Sequence, residues 1–113
     1  TAIYSIIASL ERIGDLYRQI CIHLAPLKEP KKVSPESLRF FQDVNELLEL
    51  LYHHRQTFTD ILYVLKNKRK SLTKTSLSLL EKTNSQEQVM LHLLSGILKE
   101  LAEIEFTFLD AVL

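Results

Sequence analysis

The sequence predicts an all-α fold, an antiparallel bundle of three long helices plus a short connecting helix in a single domain that spans 1–113. Apolar residues recur at steps of three and four over long stretches, a spacing typical of amphipathic helices. The chain contains two glycines and three prolines in 113 residues, which is few for an all-β protein with its many turns. No segment sustains the alternation of apolar and polar residues that indicates a strand.

Helix one is predicted over residues 1–24. Its apolar positions form one seven-residue repeat, made of Ile3, Ile6, Leu10, Ile13, Tyr17, Ile20 and Leu24. This seam places Glu11 and Asp15 on the outward side of the helix and packs Cys21 beside the seam. The chain begins in helical period, without a methionine or a capping box, and we interpret it as a piece of a longer protein.

Residues 25–34 form the predicted linker, because Pro26 and Pro30 interrupt a helix. Ser34 followed by Pro35 is a favourable helix start, with an N-cap hydroxyl and a proline at the first helical position. Helix two is predicted to run over residues 35–68, a length of about 50 Å.

The segment 35–113 is predicted to be one helical repeat that follows the linker. Residues 67–76, NKRKSLTKTS, are polar and predict a break. Residues 77–82 form the short connecting helix. Asn84 and Glu87 make a plausible capping pair, from which helix three runs to the end of the chain.

The charge distribution is uneven although the formal net charge is zero. Residues 61–82 carry six lysines or arginines and one acid, whereas 83–113 carry one lysine and five acids. The two segments either attract each other or are simply solvated; the alternative is a basic docking patch for a lipid headgroup, a phosphate or a partner. Zero net charge argues against a nucleic-acid partner.

The remaining composition narrows the class of protein. One cysteine cannot form an internal disulfide and favours a reducing compartment. The sequence has no apolar run of about 18 residues, the length that would predict a membrane-spanning helix.

The motifs typical of enzymes are missing from the sequence. It contains no glycine elbow, phosphate-binding glycine-rich loop or dinucleotide fingerprint, and no Glu-x-x-His pair of the kind that builds carboxylate-metal enzymes. We therefore predict that the protein is not an enzyme.

The stretch LERIGDLY, residues 10–17, holds the candidate site. Glu11 and Asp15 lie one helical turn apart, where like charges repel, and Gly14 between them costs a helix about 1 kcal/mol relative to alanine. One interpretation is an exposed acidic pair offset by Arg12 and Arg18. The other is a metal site, since two carboxylates at this spacing can chelate one hard cation or bridge two.

The segment YSIIASLERIGDLYRQI, residues 4–20, resembles the signature helix of PhoU-like proteins, the phosphate-uptake regulators. The shared pattern is the run Leu10 to Asp15 after a series of apolar residues. A proline-containing linker that ends in Ser-Pro-Glu and leads into a long helix is similar to the cytoplasmic PhoU-like domain of bacterial sodium/phosphate cotransporters. The resemblance covers about 1–25 and 34–66.

The resemblance implies a domain of two three-helix repeats, with residues 1–24 as the last helix of one repeat and 34–113 as the second. It also implies that Glu11 and Asp15 contribute to a surface cluster of iron, zinc or manganese. The best second copy of the motif, ILKELAEIEF at 97–106, sets Lys99 opposite Glu11 and Glu103 opposite Asp15. Glu103 is therefore the degenerate counterpart in the second repeat.

The function that the resemblance implies is a non-catalytic regulatory domain associated with phosphate transport. It would pack its helices against a partner and bind metal through Glu11 and Asp15. The partners implied are the remainder of a parent transporter, a separate transporter, or another copy of the chain. The location implied is cytoplasmic, as a domain of an inner-membrane protein that meets the membrane through its parent chain. The alternative is a generic helical interaction or adaptor module without a ligand.

Overall fold

The computed structural model of the chain describes residues 1–24 and 33–112. Within those ranges the chain forms four helices and no strand, which confirms the all-α class. They are α1 (Ala2–Leu24), α2 (Pro35–His53), α3 (Phe58–Leu80) and α4 (Ser85–Val112). No helix in these ranges is both long enough and apolar enough to cross a bilayer.

The predicted helix over 35–68 is wrong, because α2 ends at His53 and α3 begins at Phe58. In the turn the Thr57 amide donates to the carbonyl of His54 at 3.0 Å. Arg55 donates to the last-turn carbonyl of Tyr52 at 2.8 Å, and its guanidinium lies 4.3 Å from the centre of the Tyr52 ring. The turn folds α3 back, so that α2 and α3 contact each other and both contact α4.

The predicted break at 67–76 and the separate helix at 77–82 are also wrong, because α3 continues to Leu80. Leu65, Leu72 and Leu79 are spaced by seven residues and pack toward the core, so the polar run still has an apolar stripe to bury. Its hydroxyl side chains bond within the helix: Thr73 donates to the carbonyl of Arg69 at 2.9 Å. The described part of the chain thus forms four helices of 19 to 28 residues and not three long helices and a short one.

Both predicted helix starts are confirmed. The Ser34 hydroxyl accepts from the backbone amide of Ser37 at 3.3 Å, with Pro35 in the first turn. The Asn84 side chain accepts from the backbone amide of Glu87 at 3.0 Å. The predicted linker lies outside the described residues except for its last two positions.

The core is organised around α4, which contacts each of the other three helices. Six described residues of α4 are 2% exposed or less: Met90, Leu91, Leu94, Ile97, Leu98 and Leu101. Two helices of the bundle meet closely at Gly96, where an added Cβ atom would lie 3.1 Å from a methyl group of Leu16 on α1. The glycine therefore permits a close approach between α1 and α4.

The side of α1 that faces the core confirms the predicted seam in part. Ile13 and Ile20 are buried, and Ile6 and Tyr17 pack against the core. Ile3 and Leu10 of the same seam are 69% and 47% exposed, and Cys21, predicted to pack beside the seam, is exposed as well. The predicted seam is therefore buried at some of its positions and exposed at others.

The start of α2 is bound to the start of α4 by Glu87, which is 5% exposed. The Glu87 carboxylate accepts the Ser34 backbone amide at 2.7 Å, the Ser34 hydroxyl at 3.1 Å and the Ser37 hydroxyl at 2.9 Å. A carboxylate at this end of a helix is also favoured by the helix dipole. One side chain of α4 thus accepts hydrogen bonds from Ser34 and Ser37 at the start of α2 and holds the starts of the two helices together.

We predict that Glu87→Ala lowers the free energy of unfolding by about 2 kcal/mol, because it leaves three donors at the α2 start without their charged acceptor. Urea unfolding followed by circular dichroism measures the change. Glu81→Ala is the control: this residue is exposed, and the loss should stay within about 0.5 kcal/mol. Equal losses for the two variants would contradict the role given to Glu87.

Candidate functional site

The predicted metal pair, Glu11 and Asp15, is exposed on α1. Between them Arg12 reaches across to α4, where its Nε donates to Glu100 Oε1 at 2.8 Å. The hydrogen bond that Arg12 donates to Glu100 is the main cause of a raised pKa at Arg12, and the negative charges of Glu100, Glu103 and Glu11 raise it further. The structure therefore brings Glu103 into the field of Arg12, where a guanidinium neutralises part of the local negative charge.

The described residues contain no group of three or more His, Cys, Asp or Glu side chains that could hold a metal ion. Glu11 and Asp15 supply two carboxylates, whereas structural zinc takes four protein ligands and catalytic zinc takes three. The donors in ranges 1–24 and 33–112 do not complete such a set around this pair.

Gly14, which lies between Glu11 and Asp15 in the sequence motif, faces open space. A Cβ atom built on it would meet nothing within 4 Å, in contrast to Gly96, which is closely approached by Leu16. Contacts among the described residues thus account for the glycine in α4 and leave Gly14 unexplained.

A large apolar groove lies between the first half of α1 and the second half of α2. Its volume is about 540 Å³, which is within the range of small-ligand sites. We define the apolar groove by its lining, which is Ile6, Leu10, Ile13, Leu48, Leu51, Tyr52, Arg55, Phe58, Ile104 and Phe108.

The residues that line the apolar groove are almost all apolar. Arg55 is the one charged residue among the described residues that line it, and its guanidinium is already engaged with Tyr52. Phe58 and Phe108 meet edge to face, with ring centres 4.8 Å apart. Such a surface can bury apolar side chains by the hydrophobic effect, and its lining offers no nucleophile or acid–base pair.

The apolar groove adjoins further exposed apolar side chains on α1. Ile3, Tyr4 and Ile7 are 69%, 73% and 45% exposed, next to Leu10 on the lining. Sequence reasoning missed this surface because one seam was assigned to α1. A signal was present: Tyr4 and Ile7 lie outside that seam, so α1 has more apolar residues than one seam uses.

The basic segment of α3 is partly paired with acids of its neighbours, as one of the two sequence interpretations expected. Arg69 Nε donates to Glu105 Oε2 on α4 at 2.6 Å, and these side chains are 15% and 4% exposed. Lys68 lies beside Asp43 and Glu46 of α2 around a small surface pocket. The ion pair between Arg69 and Glu105 therefore supports the packing of α3 on α4.

The other oxygen of Glu105, Oε1, is buried and has no hydrogen-bond partner among the described residues. Desolvation is the largest influence on this carboxyl and raises its pKa above the ordinary value of 4.5. The hydrogen bond and the charge of Arg69 act in the opposite direction. The folded protein therefore binds a proton at Glu105 at a higher pH than the unfolded chain does.

Because the folded pKa is the higher one, stability from Glu105 is fully present below the unfolded pKa and declines as the pH rises through the folded pKa. We predict that Glu105→Gln removes this decline, so that the free energy of unfolding falls less steeply above pH 4.5 than in the unmodified protein. Urea unfolding between pH 4 and 7 measures the slope. Glu81→Gln, at an exposed position away from Glu105, is the control and should show the decline of the unmodified protein. A decline of equal steepness in Glu105→Gln would contradict the assignment.

Comparison of the chain with protein-family models, with curated proteins and with solved structures found no match.

Proposed function

We propose that the chain is a non-catalytic regulatory domain of the PhoU-like kind, associated with phosphate transport, and that it binds a partner helix in the apolar groove. The observation that carries this proposal is the groove itself, with a volume of about 540 Å³ and an almost wholly apolar lining. A helix laid into an apolar groove is a common mode of protein recognition. The exposed apolar residues of α1 beside the groove would extend the contact.

The PhoU-like assignment includes an antiparallel arrangement of the helices, which two contacts support. Arg12, in the middle of α1, pairs with Glu100 of α4, whereas His23, at the end of α1, lies 3.3 Å from the carbonyl of Gln86 near the start of α4. Positions that advance along α1 thus meet positions that recede along α4. The motif at 10–15, on an exposed surface of α1, supports the family assignment.

The partner we propose is the remainder of a parent phosphate transporter or a separate transporter subunit, on the cytoplasmic side. A second copy of the chain is a further candidate, because the groove and the exposed apolar residues beside it belong to the same surface. The second candidate function is a generic helical interaction module without a ligand. The same groove favours it, and the identity of the bound partner separates the two.

We predict that Leu10→Asp combined with Tyr52→Ser abolishes regulation of phosphate uptake without unfolding the protein. Both side chains line the groove and are 47% and 62% exposed, so the substitutions remove apolar contact area at little cost to the core. Uptake of labelled phosphate by cells carrying each variant, compared in phosphate-replete and phosphate-starved media, measures the loss.

The matched control for this experiment is Leu38→Asp combined with Ile22→Ser. These residues are 44% and 64% exposed, and neither lines the groove. Photo-crosslinking from positions 10 and 52 then identifies the partner. Crosslinks to a phosphate transporter support the regulatory role, whereas crosslinks only to proteins unrelated to transport, with normal uptake in the groove variant, favour the generic interaction module.

We further propose that Glu11 and Asp15 supply two ligands to iron, zinc or manganese, with the others contributed by the partner. Because two carboxylates are too few ligands, we expect the isolated chain to hold well under one equivalent of metal. The complex with its partner should hold metal that Glu11→Ala/Asp15→Ala removes. Elemental analysis of both preparations, purified without chelators, is the measurement. Equal metal content in the complexes of the native chain and the double variant would refute the site.

A further inference from the structure

The outer side of α3 carries a row of lysines flanked by exposed aromatic and apolar residues. Tyr63, Lys66, Lys70, Lys74 and Leu77 follow one another at steps of three or four, which places them on one side of the helix. Tyr63 is 75% exposed and Leu77 is 62% exposed. Together with Phe106 of α4 these residues are called the basic–aromatic face.

The structure brings Phe106 of α4 to the same face. Phe106 is 70% exposed and lines a surface cavity of about 450 Å³. The other lining residues are Lys66, Arg69, Ala102, Glu103, Glu105 and Leu109. Lys66 and Lys70 both lie close enough to Glu105 to act on its pKa. The lysines of α3 and the aromatic ring of α4 therefore belong to one continuous surface.

The three lysines of this face are not used to hold the bundle together. Within residues 1–24 and 33–112, ion pairs closer than 4.0 Å are formed by Arg12, Arg39 and Arg69, and no lysine takes part in one. Lys68 faces the acids of α2, away from the row. Lys66, Lys70 and Lys74 thus present charge that the fold does not neutralise by direct contact.

Lysines combined with exposed aromatic rings form the chemistry of a surface that meets an anionic bilayer. Lysines are attracted to the negative headgroups, and tyrosine and phenylalanine place apolar ring area at the boundary between headgroups and acyl chains. The apolar groove has no such row of cations. The two surfaces therefore differ in the partner they fit.

We propose that the basic–aromatic face binds an anionic lipid bilayer, with Lys66, Lys70 and Lys74 against the headgroups and Tyr63 and Phe106 at the interface. The proposal rests on charge complementarity and on the exposure of the two rings, and it does not depend on the function proposed for the groove.

Cosedimentation with vesicles tests the proposal. The protein is mixed at about 0.1 M salt with vesicles of phosphatidylcholine alone, or of phosphatidylcholine containing about one third phosphatidylglycerol. We expect binding to the anionic vesicles that weakens with added salt, because salt screens exposed charges, and at least tenfold weaker binding to the neutral ones. Lys66→Gln/Lys70→Gln/Lys74→Gln should weaken anionic binding roughly 100-fold, from about fivefold for each lysine.

Two further variants separate the contribution of the aromatic rings from that of net charge. Tyr63→Ser/Phe106→Ser should weaken binding to anionic vesicles while leaving its salt dependence intact, since the lysines remain. Arg18→Gln/Arg39→Gln/Lys82→Gln removes the same number of charges at other exposed positions and should change binding by less than twofold. Circular dichroism verifies that each variant retains the helical content of the native protein.

Three results would overturn the proposal. One is equal binding to neutral and anionic vesicles. Another is the same loss of binding in the lysine variant and in its charge-matched control, which would show that net charge and not this face is responsible. The third is tight binding to a DNA duplex with no binding to vesicles, which would assign the lysines to a nucleic acid. None of these measurements involves the apolar groove, so they leave the test of the proposed function unaffected.

Discussion

The structure depends on the burial of α4. Residues on more than one side of this helix are almost fully enclosed, among them Leu91, Leu94, Ile97 and Leu98. A helix that is apolar around so much of its circumference cannot be stable against one neighbour. It needs several, and α1, α2 and α3 each contact it. The turn at residues 54–57 serves the same requirement, because it folds α3 back so that α2 and α3 both contact α4.

Two buried carboxylates on α4 set how its neighbours are placed, and each is accommodated differently. The Glu87 carboxylate accepts hydrogen bonds from one amide and two hydroxyl groups at the start of α2. These donors and the helix dipole stabilise its negative charge in place of a positively charged side chain. Glu105 is paired with Arg69 of α3, yet desolvation dominates and raises its pKa. Buried charges are costly unless they are paired or hydrogen-bonded, so both contacts restrict α4 to one alignment with its partners.

The bundle leaves two surfaces of different chemistry uncovered. The apolar groove between α1 and α2 has one charged lining residue, Arg55, and is suited to apolar side chains. The basic–aromatic face on α3 and α4 combines three lysines without ion pairs in the described chain with two rings more than two-thirds exposed. A domain that engages a helical partner in the groove and a bilayer through the lysine row would hold both at once, because the two surfaces share no residue.

The sequence by itself determined what depends on near neighbours in the chain: the helical class, the helix starts at Ser34 and Asn84, and the outward position of Glu11 and Asp15. It did not reveal the turn at 54–57, because this turn has no glycine or proline and the seven-residue step from Leu51 to Phe58 carries the apolar period across it. The break predicted at 67–76 was wrong because this run is polar, yet the segment is helical. Leu65, Leu72 and Leu79 give it a narrow apolar stripe, which is enough to pack the helix once α4 covers it. Only the tertiary structure decided that Ile3 and Leu10 of the predicted α1 seam stay exposed while Ile13 and Ile20 are buried. It alone assembled the apolar groove, because the lining comes from four helices that meet through packing on α4.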